Sequence, residues 1–300
     1  MHAKSRRSAF SAIVISAIAL TFAALSSSCV SKTKQSAGVS SKVSSDLTLV
    51  SAQERSQRLS HVSYELEVDL LSAASQELEA QYSGKQTISF KLSRVDRDLR
   101  IDFFEGSVSS INVNGQTVAN TAKQTYFITI PAAALRLGQN TIEISYAQKF
   151  SRTGQGLHRF RDPVDGNVYL YTQFETYEAN RFMPCFDQPD LRSTLTMKVL
   201  APAEWTVVTA TREKSHAPGG QPNSRLWSFA TTPTLPTYLF SLHAGPYASF
   251  SDNSTSVPLR LFVRQSMKTP VRPKDWFTFS KQGIRFYETF FAQKYTFAKL

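Results

Sequence analysis

Metal-assisted hydrolysis needs histidine, cysteine or carboxylate ligands brought to one face, as when two histidines stand one helical turn apart around a glutamate. The histidines here are His2, His61, His158, His216 and His243, and none is followed by Glu-x-x-His. No two are spaced as metal ligands on one helix, and the two cysteines, Cys29 and Cys185, do not complete a set. The Gly-x-Ser-x-Gly elbow of serine hydrolases, the phosphate-binding loop and the dinucleotide fingerprint are also missing from the sequence. The densest chemistry lies in one segment, from Tyr169 to Arg192. There a strand-like run ends in clustered polar side chains (Gln173, Glu175, Glu178), followed by an aromatic-Pro-Cys-aromatic knot and then Asp187-Gln-Pro-Asp190. On residue type alone, Gln173 and Glu175 could simply end an exposed strand. Arg181, Asp187 and Asp190 read as ties within the loop, through ion pairs and turn capping, with Pro184 and Pro189 stiffening it. Cys185, between Pro184 and Phe186, reads as a buried structural thiol.

The elements that must hold this segment are strands. From Leu59 the pattern has period two, with Tyr64, Leu66, Val68 and Leu70 alternating with polar residues. Ile88, Phe90 and Leu92 continue it, and Leu99–Phe103 and Ile111–Val113 follow, the last closed by Asn114-Gly115, the pair that suits a tight hairpin. Further strands are expected at Tyr126–Ile130 and Thr141–Tyr146, with Gly138 marking the turn between them. The glycines and proline of Ser151–Asp165 predict an irregular loop. Strand patterns resume at Val168–Phe174, Ser193–Leu200, Thr206–Thr209, Leu226–Phe229, Tyr238–Leu242 and Leu259–Arg264. Consecutive strands with short turns imply a mainly β fold, an antiparallel sandwich or saddle-like sheet. Near the end the period lengthens: Trp276, Phe279, Gly283, Phe286 and Phe290 predict an amphipathic helix with an aromatic face, opened by Pro273. That face, with Phe291, Tyr295 and Phe297 after it, needs something to pack against, so the natural protein is expected to continue past Leu300.

The first residues carry a different signal. Lys4-Ser-Arg-Arg7 precedes a mostly apolar run, Ala9 to Leu25, then Ser26, Ser27, Ser28 and Cys29. This is the order of an export signal, and the run is short for a permanent membrane span. A cysteine directly after small residues resembles the cleavage box of bacterial lipoproteins, with Cys29 as the acylated residue. The box normally carries Leu three residues before the cysteine, where this chain has Ser26. The expected setting is the cell envelope, with the chain anchored to a membrane through lipid and Val30–Ser51 as a Ser/Lys-rich tether. The net charge of +11 includes six basic residues and no acid in the first 45 positions. The mild surplus on the rest shows no Lys/Arg cluster interleaved with aromatics, which argues against a nucleic-acid partner.

The central segment resembles the aminopeptidase N family of zinc exopeptidases. The family's pattern of Gln-x-Glu, an Ala-Arg-Arg-like stretch and Phe-Pro-Cys-Phe-Asp-Glu/Gln-Pro is met by Gln173-Phe-Glu175, Ala179-Asn-Arg181 and Met183-Pro-Cys-Phe-Asp-Gln-Pro189. The flanks agree: Gly156-Leu-His-Arg-Phe-Arg-Asp-Pro163, Gln53–Leu59, Ala203–Val208, Tyr238–Phe240 and Leu259–Val263. The resemblance implies an N-terminal saddle-like β domain over 52–250, following a signal over 1–29 and a tether over 30–51. It makes 251–300 the start of a thermolysin-like α/β catalytic domain. It also implies that Glu175 binds the free α-amino group of a peptide substrate, with Gln173 beside it. A carboxylate in a partly dry pocket suits that task, and such a charge-assisted hydrogen bond is worth ~1.5–3 kcal/mol. The family's Gly-Ala-Met-Glu-Asn loop and His-Glu-x-x-His lie outside these residues. Zinc is therefore expected in the complete protein, with neither metal ligands nor catalytic residues in this chain. The rival expectation is a non-catalytic surface lipoprotein that binds peptides or a partner protein.

Overall fold

A computed structural model describes residues 47–119 and 124–300. These form one compact unit, and the expected signal, the lipidation site Cys29 and most of the expected tether lie outside the described residues. The unit opens on helix α1 (Leu49–Arg58), capped by Thr48, whose hydroxyl accepts from the Ser51 amide at 3.2 Å. Then come β1 (Leu59–Asp69), β2 (Gln81–Leu92), β3 (Leu99–Asp102), β4 (Ser107–Val113), β5 (Gln116–Thr117), β6 (Phe127–Ile130) and β7 (Gly138–Lys149). Next are β8 (Gly156–Arg161), β9 (Val168–Gln173), β10 (Ser193–Pro202), β11 (Thr206–Thr209), β12 (Glu213–Pro218) and β13 (Ser224–Phe229). The described chain finishes with β14 (Leu242–Gly245), β15 (Ala248–Asp252), β16 (Leu259–Val263) and helix α2 (Pro273–Phe290).

The fold is mainly β, as the alternating pattern predicts. Eight strands form one sheet in the order β12-β13-β10-β1-β2-β7-β4-β5, and β11-β14-β9-β8 form a second. Two-stranded ribbons, β3 with β6 and β15 with β16, complete the set. Inward residues of the sheets, among them Ile88, Phe90, Ile144, Leu170 and Leu242, and of the β3–β6 ribbon, such as Ile101 and Ile128, join in a single core. Each such side chain contributes ~1.5–3 kcal/mol by leaving water. Asn114 (φ 54°) and Gly115 (φ 82°) form the expected tight hairpin between β4 and β5.

Several details depart from expectation. The large sheet is mixed, because β1 and β10 pair in parallel, with Val62 opposite Ser193 and Val68 opposite Val199. The segment 151–165 is not all loop: Gly156–Arg161 pairs along β9 as an edge strand. A helix starts at Leu49, ahead of the expected end of the tether. The run at Tyr238 is a short 3₁₀ turn (Thr237–Leu239) after Pro236, and the strand follows at Leu242. In α2, Phe277 is buried and Ile284 packs with it on β15–β16. Trp276, Phe279, Phe286 and Phe290, the expected packing face, are each more than half exposed.

Candidate functional site

Strand β9 delivers the polar cluster. Its first residues, Val168, Tyr169 and Leu170, are buried, and the strand then runs out to the surface. Phe174 is only 1% exposed and packs on Phe182 with ring centroids 5.5 Å apart, while its neighbours Gln173 and Glu175 both face solvent. The buried ring between them thus fixes where the two polar side chains emerge. Past Glu175 the chain turns back, the Glu178 amide donating to the Phe174 carbonyl at 3.0 Å, and enters a 3₁₀ turn at Ala179–Arg181. Gly156 lies opposite Gln173 in the β8–β9 ladder with φ +67°, and a Cβ there would stand 2.9 Å from Arg181 Cβ. Glycine is what lets β8 pass so close beneath this turn.

The knot after the turn is held by buried polar contacts. Asp187 accepts from the Asn180 amide (3.0 Å), Asn180 Nδ2 (2.9 Å) and the Thr237 hydroxyl (2.6 Å). Asp102 of β3 receives Arg55 Nη1 at 2.7 Å and the Asp187 amide at 2.9 Å. The backbones of Asp102 and Cys185 exchange two hydrogen bonds, of 2.8 and 3.0 Å. Arg55, on α1, also donates from Nε to Gln188 Oε1 at 2.9 Å. Burial works against the Arg55 charge, but the Asp102 carboxylate beside it outweighs that and raises its pKa. Asp190 accepts from the Ser56 hydroxyl at 2.5 Å. α1 and β3 therefore clamp the knot from two sides. Arg181 is tied to Glu178 and sits over the Phe104 ring at 3.9 Å. Cys185 is fully buried with a free thiol, and burial, with Asp187 and Asp102 nearby, pushes that thiol's pKa well up, so it is a poor nucleophile at neutral pH.

These contacts separate the two glutamates. Glu178 is committed to Arg181, whereas neither the Glu175 nor the Gln173 side chain has a hydrogen-bond or ion-pair partner among the described residues. Beside them is a row that sequence reasoning missed. Tyr171, two residues before Gln173 and so on the same face, pairs with His158 on β8 and His243 on β14. The His158 and Tyr171 ring centroids are 4.8 Å apart. Burial lowers the pKa of both imidazoles, helped at His243 by Lys299, so both are neutral at physiological pH. The period-two rule applied to Tyr171 would have found this residue; its partners depend on register. A free carboxylate, an amide and uncharged rings on one surface can receive an ammonium group. Among the described residues, no three His, Cys, Asp or Glu side chains converge as metal ligands. None of their helices is long and apolar enough to cross a membrane.

Residues 60–239 match the family described as the Peptidase M1 N-terminal domain. The chain is 32% identical over 258 residues to an aminopeptidase N of Streptomyces lividans, covering 85% of this chain and 29% of that one. It is 26% identical to an aminopeptidase N of Acetobacter pasteurianus, covering 71% of this chain and 61% of that one. With the mouse glutamyl aminopeptidase the identity is 25%, over 80% of this chain and 26% of that protein. The chain thus spans less than two thirds of the length of each of these relatives.

Proposed function

We propose, from the premise that this chain belongs to the peptidase M1 family through its N-terminal domain, that it is the substrate-holding portion of an exported zinc aminopeptidase. In this reading Glu175 accepts a charge-assisted hydrogen bond from the free α-amino group of a peptide, and Gln173 adds a neutral one. The observation that carries it is the placement of these two side chains. They emerge on either side of the buried Phe174, uncommitted to any described partner, while the neighbouring Glu178 is already paired. Holding the amino terminus there would restrict cutting to the first residue. The zinc that the family uses would polarise the scissile carbonyl and activate water. The described residues do not fit that ion, so no step through it is assigned to this chain. Export and a lipid anchor at Cys29 belong to the same reading, on the order of charged, apolar and small residues at the start of the sequence.

The test is Glu175→Gln in the whole gene product, assayed on peptides with a free amino terminus. Losing one charge-assisted partner costs ~1.5–3 kcal/mol, a fall of roughly 10–150-fold in kcat/KM. An unchanged kcat/KM would remove Glu175 from the site. Reading the gene past the codon for Leu300 tests the frame itself. A continuation into His-Glu-x-x-His supports the peptidase, whereas a stop codon there rules out catalysis and leaves peptide binding.

A further inference from the structure

The carboxylate proposed to hold the amine stands on a turn with few ties of its own. The Glu175 and Thr176 side chains both face solvent, and neither bonds to a described residue. The turn is secured on either side of them. Before Glu175 is the buried Phe174 ring, stacked on Phe182. After Thr176 comes Tyr177, half-buried, which lines one cavity together with Arg55 and Asp102.

A side-chain hydrogen bond from Tyr177 reaches Asp102. Asp102 is also the carboxylate that takes Arg55 Nη1 at 2.7 Å and the Asp187 amide at 2.9 Å, both on Oδ2. Burial raises the Asp102 pKa, and Arg55, the Asp187 amide and the Tyr177 hydroxyl all oppose that rise. Burial, with the Asp102 charge beside it, raises the Tyr177 pKa as well, so the phenol keeps its proton and remains a donor. The backbone of Tyr177 is tied too. Its carbonyl accepts Asn180 Nδ2 at 3.0 Å, and Asn180 is itself held on Asp187 Oδ2 through its amide (3.0 Å) and Nδ2 (2.9 Å).

Tyr177 therefore spans from the exposed turn to the buried ion pair, two residues past Glu175. A binding group has to be held to within about 0.5 Å of its productive place, and side chains behind it that are locked by packing and hydrogen bonds do that work. Glu178 cannot serve in this way, since it is turned toward Arg181. We infer that Tyr177 is a positioning residue for Glu175: anchored on the Arg55–Asp102 pair, it fixes the turn that presents the carboxylate to the α-amino group of a peptide. This rests on the reading of Glu175 given above, and it adds a residue that acts through Glu175 rather than on the substrate.

The test is a double-mutant cycle of Tyr177→Phe with Glu175→Gln. L-leucinamide is titrated into the full chain and followed by NMR, with N-acetyl-L-leucinamide as the control that lacks the charged amine. The same four proteins are assayed as whole gene products for kcat and KM on peptides with a free amino terminus. Tyr177→Phe keeps the ring and removes only the hydroxyl. It should weaken L-leucinamide binding and raise KM by about 3- to 10-fold, with kcat changed less than about twofold. In the Glu175→Gln background the same change should cost less than about twofold, because the group it positions is already lost. A merely structural role would lower Tm without any dependence on Glu175. Where Glu175→Gln weakens binding, an unchanged affinity in Tyr177→Phe, or equal losses from Tyr177→Phe in the two backgrounds, would overturn the inference and leave Glu175 in place. Unchanged binding in Glu175→Gln would remove the reading of Glu175, and the inference with it.

Discussion

The clamp on the knot makes a quantitative prediction. Arg55→Met removes the donor to Asp102 at 2.7 Å and the donor to Gln188 at 2.9 Å, and leaves a carboxylate that is only 8% exposed without its counter-charge. Breaking a buried pair from one side costs about 3–5 kcal/mol, because the remaining charge stays desolvated. Against a total stability of ~5–15 kcal/mol this is a large fraction, equivalent to a fall in Tm of roughly 6–20 °C for a domain of this size. The second leg of the cycle is Asp102→Asn in the Arg55→Met background. It removes the stranded charge while keeping an oxygen for the Asp187 amide, so it should recover part of the loss, with a coupling of about 2 kcal/mol. Trp205 and Trp227, both buried in the β core, report the unfolding by fluorescence. A cost below about 1 kcal/mol for Arg55→Met, or a double variant whose loss equals the sum of the two single losses, would refute the claim that this pair holds the knot.

Two further outcomes follow from the same geometry. Gly156→Ala puts a side chain at φ +67° and 2.9 Å from Arg181 Cβ, so it should destabilise by about 2 kcal/mol or more in a urea melt; a change within about 0.5 kcal/mol would show that the close approach is not required. Hydrogen bonds from Lys281 and Ser254 hold the Asp252 carboxyl down to about 2, below its ordinary 3.8. Its stabilising effect is therefore complete above the ordinary value and is lost as pH falls toward 2. Hydrogen-exchange protection in β15 and α2, taken relative to the intrinsic rate at each pH, should fall over that window, and more shallowly in Asp252→Asn; identical pH profiles would count against the Lys281 link.

Which parts could be read from the sequence follows from what each element buries. β1, β2, β7 and β10 bury alternating apolar side chains, and the period-two pattern located all of them. Helix α1 was invisible to the same reasoning because its inward positions are Arg55 and Arg58, while Leu49 and Val50 are more than 70% exposed. Edge strands β8 and β12 were missed for a related reason: covered on one side only, they keep polar residues at half or more of their positions. In α2 the error was one of phase. Aromatic residues spread over about half of its circumference at 3.6 residues per turn, so spacing could not tell that Phe277 rather than Phe279 turns inward. At the candidate site, Gln173 and Glu175 were found by motif. Their lack of internal partners, the committed state of Glu178 and the row of Tyr171, His158 and His243 are facts of register and folding that no local pattern encodes.

The parallel pairing of β1 with β10 also constrains the order in which the molecule can assemble. Val62 waits for Ser193 as its neighbour, so a chain emerging amino terminus first can build β1-β2-β7-β4-β5 by antiparallel pairing before it can cover the other edge of β1. During that interval Tyr64, Leu66 and Val68 stand in a half-finished sheet with one row of backbone amides and carbonyls open. Such an edge is a template for pairing with other chains, and late, long-range closure of this kind is slow. The arrival of β10 is thus the step that ends the period of greatest aggregation risk. It also carries in, immediately ahead of it in the chain, the Cys185–Pro189 knot that packs beneath the candidate surface.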